Sequence, residues 1–124
     1  MIPYLFYRDV PAALDFLWRA FGFKEKMRTG TPSGGMHSEA SFQGQLVMIG
    51  QGAHERSLTT LRQAGAATMG VFIYLDDVDR HYEVAKAAGA EIIHPPKDAS
   101  YGRTYWASDP EGHPWFFTTP AKAG

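Results

Sequence analysis

Apolar and polar residues alternate in several short runs of this chain and recur at helical spacing in two longer ones. Ile2 to Tyr7 alternates and is rich in aromatics, which predicts a strand. Val10, Ala13, Leu14, Leu17 and Ala20 then share one face of a helix. Asp9 stands where its N-cap should be, Pro11 in its first turn, and Gly22 just past its end. Phe23–Thr29, Met36–Phe42 and Gln45–Gly50 predict three more strands, with Gln43-Gly44 as a turn between the last two. Lys24, Lys26 and Arg28 fall on one side of the first of these, as a solvated face does. Gln51 to Thr68 reads as a linker in which Leu58 and Leu61 have the spacing of a short helix.

From Met69 the order repeats. Val71, Ile73 and Leu75 alternate with Phe72 and Tyr74 in a strand. Asp76-Asp77 precedes a helix with Val78, Tyr82, Ala85 and Ala88 on one face, and Gly89 closes it. Ala90–His94 predicts a strand and Pro95–Ser100 a loop. Tyr101 to Thr118 reads as a hairpin about Asp109-Pro110-Glu111-Gly112-His113. There Asp109 can accept from turn amides, Pro110 pre-sets its φ, and Gly112 tolerates a positive one. Asp9-Val10 recurs as Asp77-Val78, 68 residues on, and Gly44 recurs as Gly112 and Gly34 as Gly102 at the same spacing. The chain is therefore read as a duplicated strand-helix-strand-strand-strand unit. The fold class is α+β in one domain, with module one at 1–50, a linker at 51–68 and module two at 69–120.

Composition changes this picture little. With 124 residues the chain has room for a core, and a net charge of −1 lacks the basic excess of a nucleic-acid protein. The absence of cysteine excludes disulfides and zinc-thiolate sites and is compatible with a reducing compartment. No apolar run approaches the roughly 20 residues that span a bilayer, and Met1 to Asp9 does not read as a signal peptide. No membrane or nucleic-acid partner is expected, and the expected location is cytoplasmic.

Paired modules of this order, with Asp-Val before each helix, Gly-Phe or Gly-Ala after it, and Asp-Pro-Glu-Gly-His before the last strand, resemble the vicinal oxygen chelate superfamily. That superfamily includes glyoxalase I, extradiol dioxygenases and the bleomycin-resistance proteins. The resemblance implies two tandem βαβββ modules whose mixed sheets curve around a cleft, and a homodimer. Its metal enzymes carry one ligand on the first and one on the last strand of each module. The matching positions here are Ile2, Met48, Gly70 and Phe116. None of these side chains ligates zinc, nickel, manganese or iron. No metal and no other cofactor is expected.

Strand parity then names what faces the cleft. Tyr4, Phe6, Phe72, Tyr74, Thr104, Trp106 and Phe116 have the parity of the ligand positions. Leu5, Tyr7, Val71, Ile73, Leu75, Trp115 and Phe117 have the opposite parity and suit packing on the helices. His37 and Glu39 lie two apart and share a face. They read either as cleft residues able to bind a ligand or move a proton, or as a hydrated outer face. Tyr101 is a further candidate on the hairpin. An aromatic cleft with sparse polar groups suits a planar or apolar organic compound. The expected function is metal-free binding of such a small molecule, of the bleomycin-resistance type. The alternative is a metal-dependent or acid-base lyase or dioxygenase, with His37, Glu39 or Tyr101 in the acid-base role.

Overall fold

The two α-helices among the described residues are placed by the same device. In a computed structural model describing residues 1–30, 36–52, 67 and 69–121, helix α1 spans Val10–Phe16 and α2 spans Val78–Ala87. The Asp9 carboxylate accepts from the Ala12 amide at 3.0 Å, and that of Asp77 from the Arg80 amide at 3.1 Å. Each caps one of the amides that a helix start leaves unpaired. Helix α1 runs on as a wider π-helical turn, Leu17–Phe21, which ends at Gly22 with φ 83°.

The strands among the described residues are β1 (Tyr4–Tyr7), β2 (Lys24–Gly30), β3 (Met36–Phe42), β4 (Gln45–Gln51), β5 (Val71–Tyr74), β6 (Glu91–Ala99), β7 (Gly102–Ser108) and β8 (Pro114–Pro120). They form two four-stranded sheets, ordered β1-β4-β3-β2 and β5-β8-β7-β6. In each sheet the first strand runs parallel to its neighbour and the other pairs are antiparallel. The helices lie between the sheets. These are the two tandem βαβββ modules that the repeat predicts.

Register refines the repeat. Tyr4 pairs with Met48 as Phe72 pairs with Phe116, 68 residues on at both positions. Ala40 pairs with Val47 as Ala107 pairs with Trp115, which sets β7 only 67 residues after β3. Gly34, which the repeat matches with Gly102, lies outside the described residues, as does most of the expected linker at 51–68.

One predicted loop is a strand. Pro95 and Pro96 fall inside β6, which continues to Ala99. Proline removes a ladder donor, but β6 is the outer strand of its sheet, and its register shifts between His94 and Lys97 where the two prolines sit.

The core lies where the helix-facing sides of the two sheets meet. Tyr7, Phe21, Phe23, Tyr105, Trp115 and Phe117 are all buried. Phe21 leaves the π-helical turn of module one and packs on the sheet of module two, 4.8 Å from Phe117 and 5.5 Å from Trp115 between ring centres. The Asp-Pro-Glu-Gly-His turn clasps the two modules. Asp109 Oδ1 accepts from the Glu111 and His113 amides, while Oδ2 accepts from the Tyr7 hydroxyl at 2.6 Å and the Trp115 indole at 3.0 Å. The Glu111 carboxylate accepts from the Arg8 and Asp9 amides at 2.7 and 2.9 Å. His113 donates through Nε2 to the Phe6 carbonyl at 3.0 Å. Two buried carboxylates are tolerable because each is surrounded by donors. No helix among the described residues is long and apolar enough to cross a membrane.

Candidate functional site

The helix-facing sides of the sheets are joined in the core, and the side chains of opposite parity lie on the other face of each sheet, several of them exposed. The parity residues lie there, in two groups. On the first sheet, Tyr4 is 40% exposed and stacks on half-buried Phe6 with ring centres 4.7 Å apart. The Tyr4 hydroxyl is 2.7 Å from Nδ1 of His37. His37 and Glu39 are half-buried and share this face, since His37 pairs with Gly50 and Glu39 with Met48, the partners of Phe6 and Tyr4. His37 and Glu39 thus lie on the Tyr4 side of the first sheet. A Cβ on Gly50 would come within 2.6 Å of the Tyr4 ring, so a larger residue there would displace that ring.

On the second sheet, Phe72 and Tyr74 are 45% and 52% exposed, with ring centres 5.1 Å apart. Exposed Tyr101 stands 6.2 Å from Phe72. Half-buried Trp106 meets Phe116 edge-on at 5.0 Å and His94 at 5.2 Å. Thr104 has the right parity but is only 6% exposed, and its hydroxyl is already engaged. It donates to the Phe117 carbonyl at 3.1 Å and accepts from Thr118 at 2.9 Å. Thr104 is a structural residue of the ladder and not an accessible ligand contact. Among the described residues no ring contact joins the two groups. One chain thus carries two separate groups of rings, one on each sheet.

The family's metal positions do not fit a metal here. None of their side chains is an imidazole, carboxylate or thiolate, and a Cβ at residue 70 would lie 2.5 Å from the Phe116 ring. Phe116 fills the space into which a ligand from that position would project. Among the described residues no group of three or more metal-binding side chains is assembled elsewhere.

The sequence reading missed a second concavity. The π-helical turn and the start of α2 enclose a groove of about 290 Å³ lined by Trp18, Phe21, Phe42, Leu75, Arg80 and His81. Trp18, 54% exposed, lies off the apolar stripe of α1, and that was the available signal. His81 closes the groove's inner wall. Its Nε2 lies 2.7 Å from the Phe21 carbonyl and therefore donates, which leaves Nδ1 to accept from the Tyr105 hydroxyl at 2.6 Å. Burial holds the His81 pKa below its ordinary 6.5, opposed by the bond to Phe21. Burial likewise pushes the Tyr105 hydroxyl far up. The pair is a neutral imidazole and a neutral phenol.

The Glyoxalase/Bleomycin resistance protein/Dioxygenase superfamily model matches residues 3–117. The chain belongs to that superfamily. It is 35% identical to TioX from Micromonospora sp. ML1, with a TM-score of 0.75, and the match covers 100% of this chain and 98% of that one. TnmS3, an antibiotic binding protein from Streptomyces sp. CB03234, shares the fold at 19% identity and a TM-score of 0.78, over 97% of this chain and 93% of its own. An uncharacterized protein of Mycobacterium bovis is 28% identical over 126 residues, covering 97% of this chain and 82% of that protein.

Proposed function

We propose that this chain is a metal-free small-molecule-binding protein that sequesters a planar or apolar organic compound. The observation that carries the reading is the row of rings on the open face of the second sheet, Phe72, Phe116, Trp106 and His94, one from each strand. Rings kept at a water-facing surface offer stacking area to a flat ligand. The lack of imidazole, carboxylate and thiolate groups at the family's metal positions supports binding without metal chemistry. The antibiotic binding stated for TnmS3 is in keeping with the same use of the fold. Tyr4, Phe6, Phe72, Tyr74, Tyr101, Trp106 and Phe116 supply the rings, and His37 and Glu39 the polar contacts. Each half-site is open on one side, so a second copy of the chain closes the cleft and the working form is a homodimer.

The test is a panel of planar aromatic compounds titrated into the purified, untagged protein, read by tryptophan quenching and calorimetry, with elemental analysis of the same material. Saturable binding at one site per chain without a stoichiometric transition metal is expected. About one zinc, nickel, manganese or iron per chain would overturn the metal-free reading, and no binding across the panel would overturn the ligand class. The Tyr4–His37 hydrogen bond beside Glu39 favours one second reading, an acid-base lyase. Turnover of a bound panel compound that is lost in His37→Ala would establish it.

A further inference from the structure

The corresponding rows of the two open faces differ in a way that bears on the charge of the ligand. Across the four strands of the first sheet, register sets Tyr4, Met48, Glu39 and Met27 side by side. Across the second it sets Phe72, Phe116, Trp106 and His94. By the repeat these are the same row. Glu39 occupies in module one the place that Trp106 occupies in module two.

One platform is thus all rings, and the other has a carboxylate at its centre between two thioethers. Thioether side chains adapt to varied shapes and add little polarity. The next row inward places Thr29, His37, Gly50 and Phe6 together, with no formal charge. Lys24 is a row away, beside Ser41 on the outer strand. On the second sheet, Glu91 and Lys97 sit on the outer strand, on either side of His94. Among the described strand residues, Glu39 is therefore the charge nearest the middle of either face.

We propose that the ligand is a planar aromatic cation, or an aromatic amine protonated at neutral pH. Its ring system lies on Phe72, Phe116 and Trp106, and its charged nitrogen is held by Glu39 of the facing module. This rests on the reading above that a second copy closes the cleft. Ring faces are negative and attract a cation, and the carboxylate adds a charge-assisted hydrogen bond. An anion of the same shape meets repulsion at the same place, which is how the face discriminates.

Two probes of similar ring size test this: proflavine, a planar cation, and anthracene-9-carboxylate, a planar anion. Proflavine is expected to bind the full chain at least tenfold more tightly, and progressively less tightly as salt is raised. Glu39→Gln should weaken proflavine about tenfold and leave the anion unchanged or tighter. Glu39→Asp, which keeps the charge, should recover part of the loss, and Trp106→Ala should weaken both probes. Equal affinities, or a Glu39→Gln protein as good as wild type, would overturn the charge assignment while the Trp106→Ala effect left the aromatic reading standing. If neither probe binds, both readings fall. The salt dependence of the wild-type protein gives the electrostatic answer without any substitution.

Discussion

Trp106 and Trp115 stand on adjacent strands of one sheet and face opposite ways, which gives them opposite jobs. Trp115 is fully buried, packed against Phe21, Phe23 and Phe117, and its indole bonds Asp109. Trp115→Ala should cost about 3–5 kcal/mol in chemical denaturation. Trp106→Ala should leave the fold intact and weaken a ring-stacked ligand by several-fold to about tenfold. The reverse pattern would place the two faces the wrong way round. Asp109→Asn is a subtler change of nearly equal volume. Its new NH₂ group must face either the two turn amides or the Tyr7 and Trp115 donors, so two donors lose their acceptor. A cost on the order of 2–4 kcal/mol is expected. Asp98→Asn, on an exposed pair with Arg103, should cost less than about 0.5 kcal/mol. These faces were legible in the sequence because the period of a strand is two. Leu5, Tyr7, Val71, Ile73, Leu75, Trp115 and Phe117 are all buried as alternation requires. Thr104 shows the limit of that rule: parity names a side of the sheet and not what lies over it.

At the scale of elements, the two caps and the repeat were legible because they depend on neighbours in sequence. The extent of β6 was not. Two prolines argue against a strand unless it lies at an edge, and edge position is a property of the sheet. Nor was the seam between the helices visible, because His81 acquires its role from Phe21 and Tyr105, 60 and 24 residues away. That seam makes a pH prediction. His81 is folded in a neutral form with a lowered pKa, whereas in the unfolded chain it titrates near 6.5. Below 6.5 the unfolded state takes up a proton that the folded state refuses. Its contribution to stability is present above 6.5 and is lost as pH falls through the folded-state value. Denaturation midpoints should therefore drop on acidification from pH 7 to 5, and His81→Gln should flatten that part of the profile. Tyr7 works in the other direction. Burial, and then the charge of Asp109, raise its pKa well above 10, so the stability it contributes holds below pH 10 and declines above it. Tyr7→Phe should remove that alkaline loss.

At the scale of the whole molecule, the distribution of rings decides what the chain must do next. The core takes Tyr7, Phe21, Phe23, Tyr105, Trp115 and Phe117, yet Tyr4, Phe72, Tyr74 and Tyr101 remain exposed, all in the two ring groups outside the core. Exposed rings clustered in this way mark an interface or a ligand groove, and a cleft closed by a second copy would be both. A stable pairing buries on the order of 1,600 Å² in total. Light scattering at micromolar concentration should accordingly give the mass of two chains. Replacing Tyr4 and Phe72 together by glutamate should give a folded monomer, because neither ring belongs to the core. If the cleft is shared between copies, the same variant should lose the ligand to a greater degree than Trp106→Ala does, since it removes both the ring contacts and the wall opposite them. A wild-type protein with the mass of one chain that still bound its ligand would show that a single open face suffices.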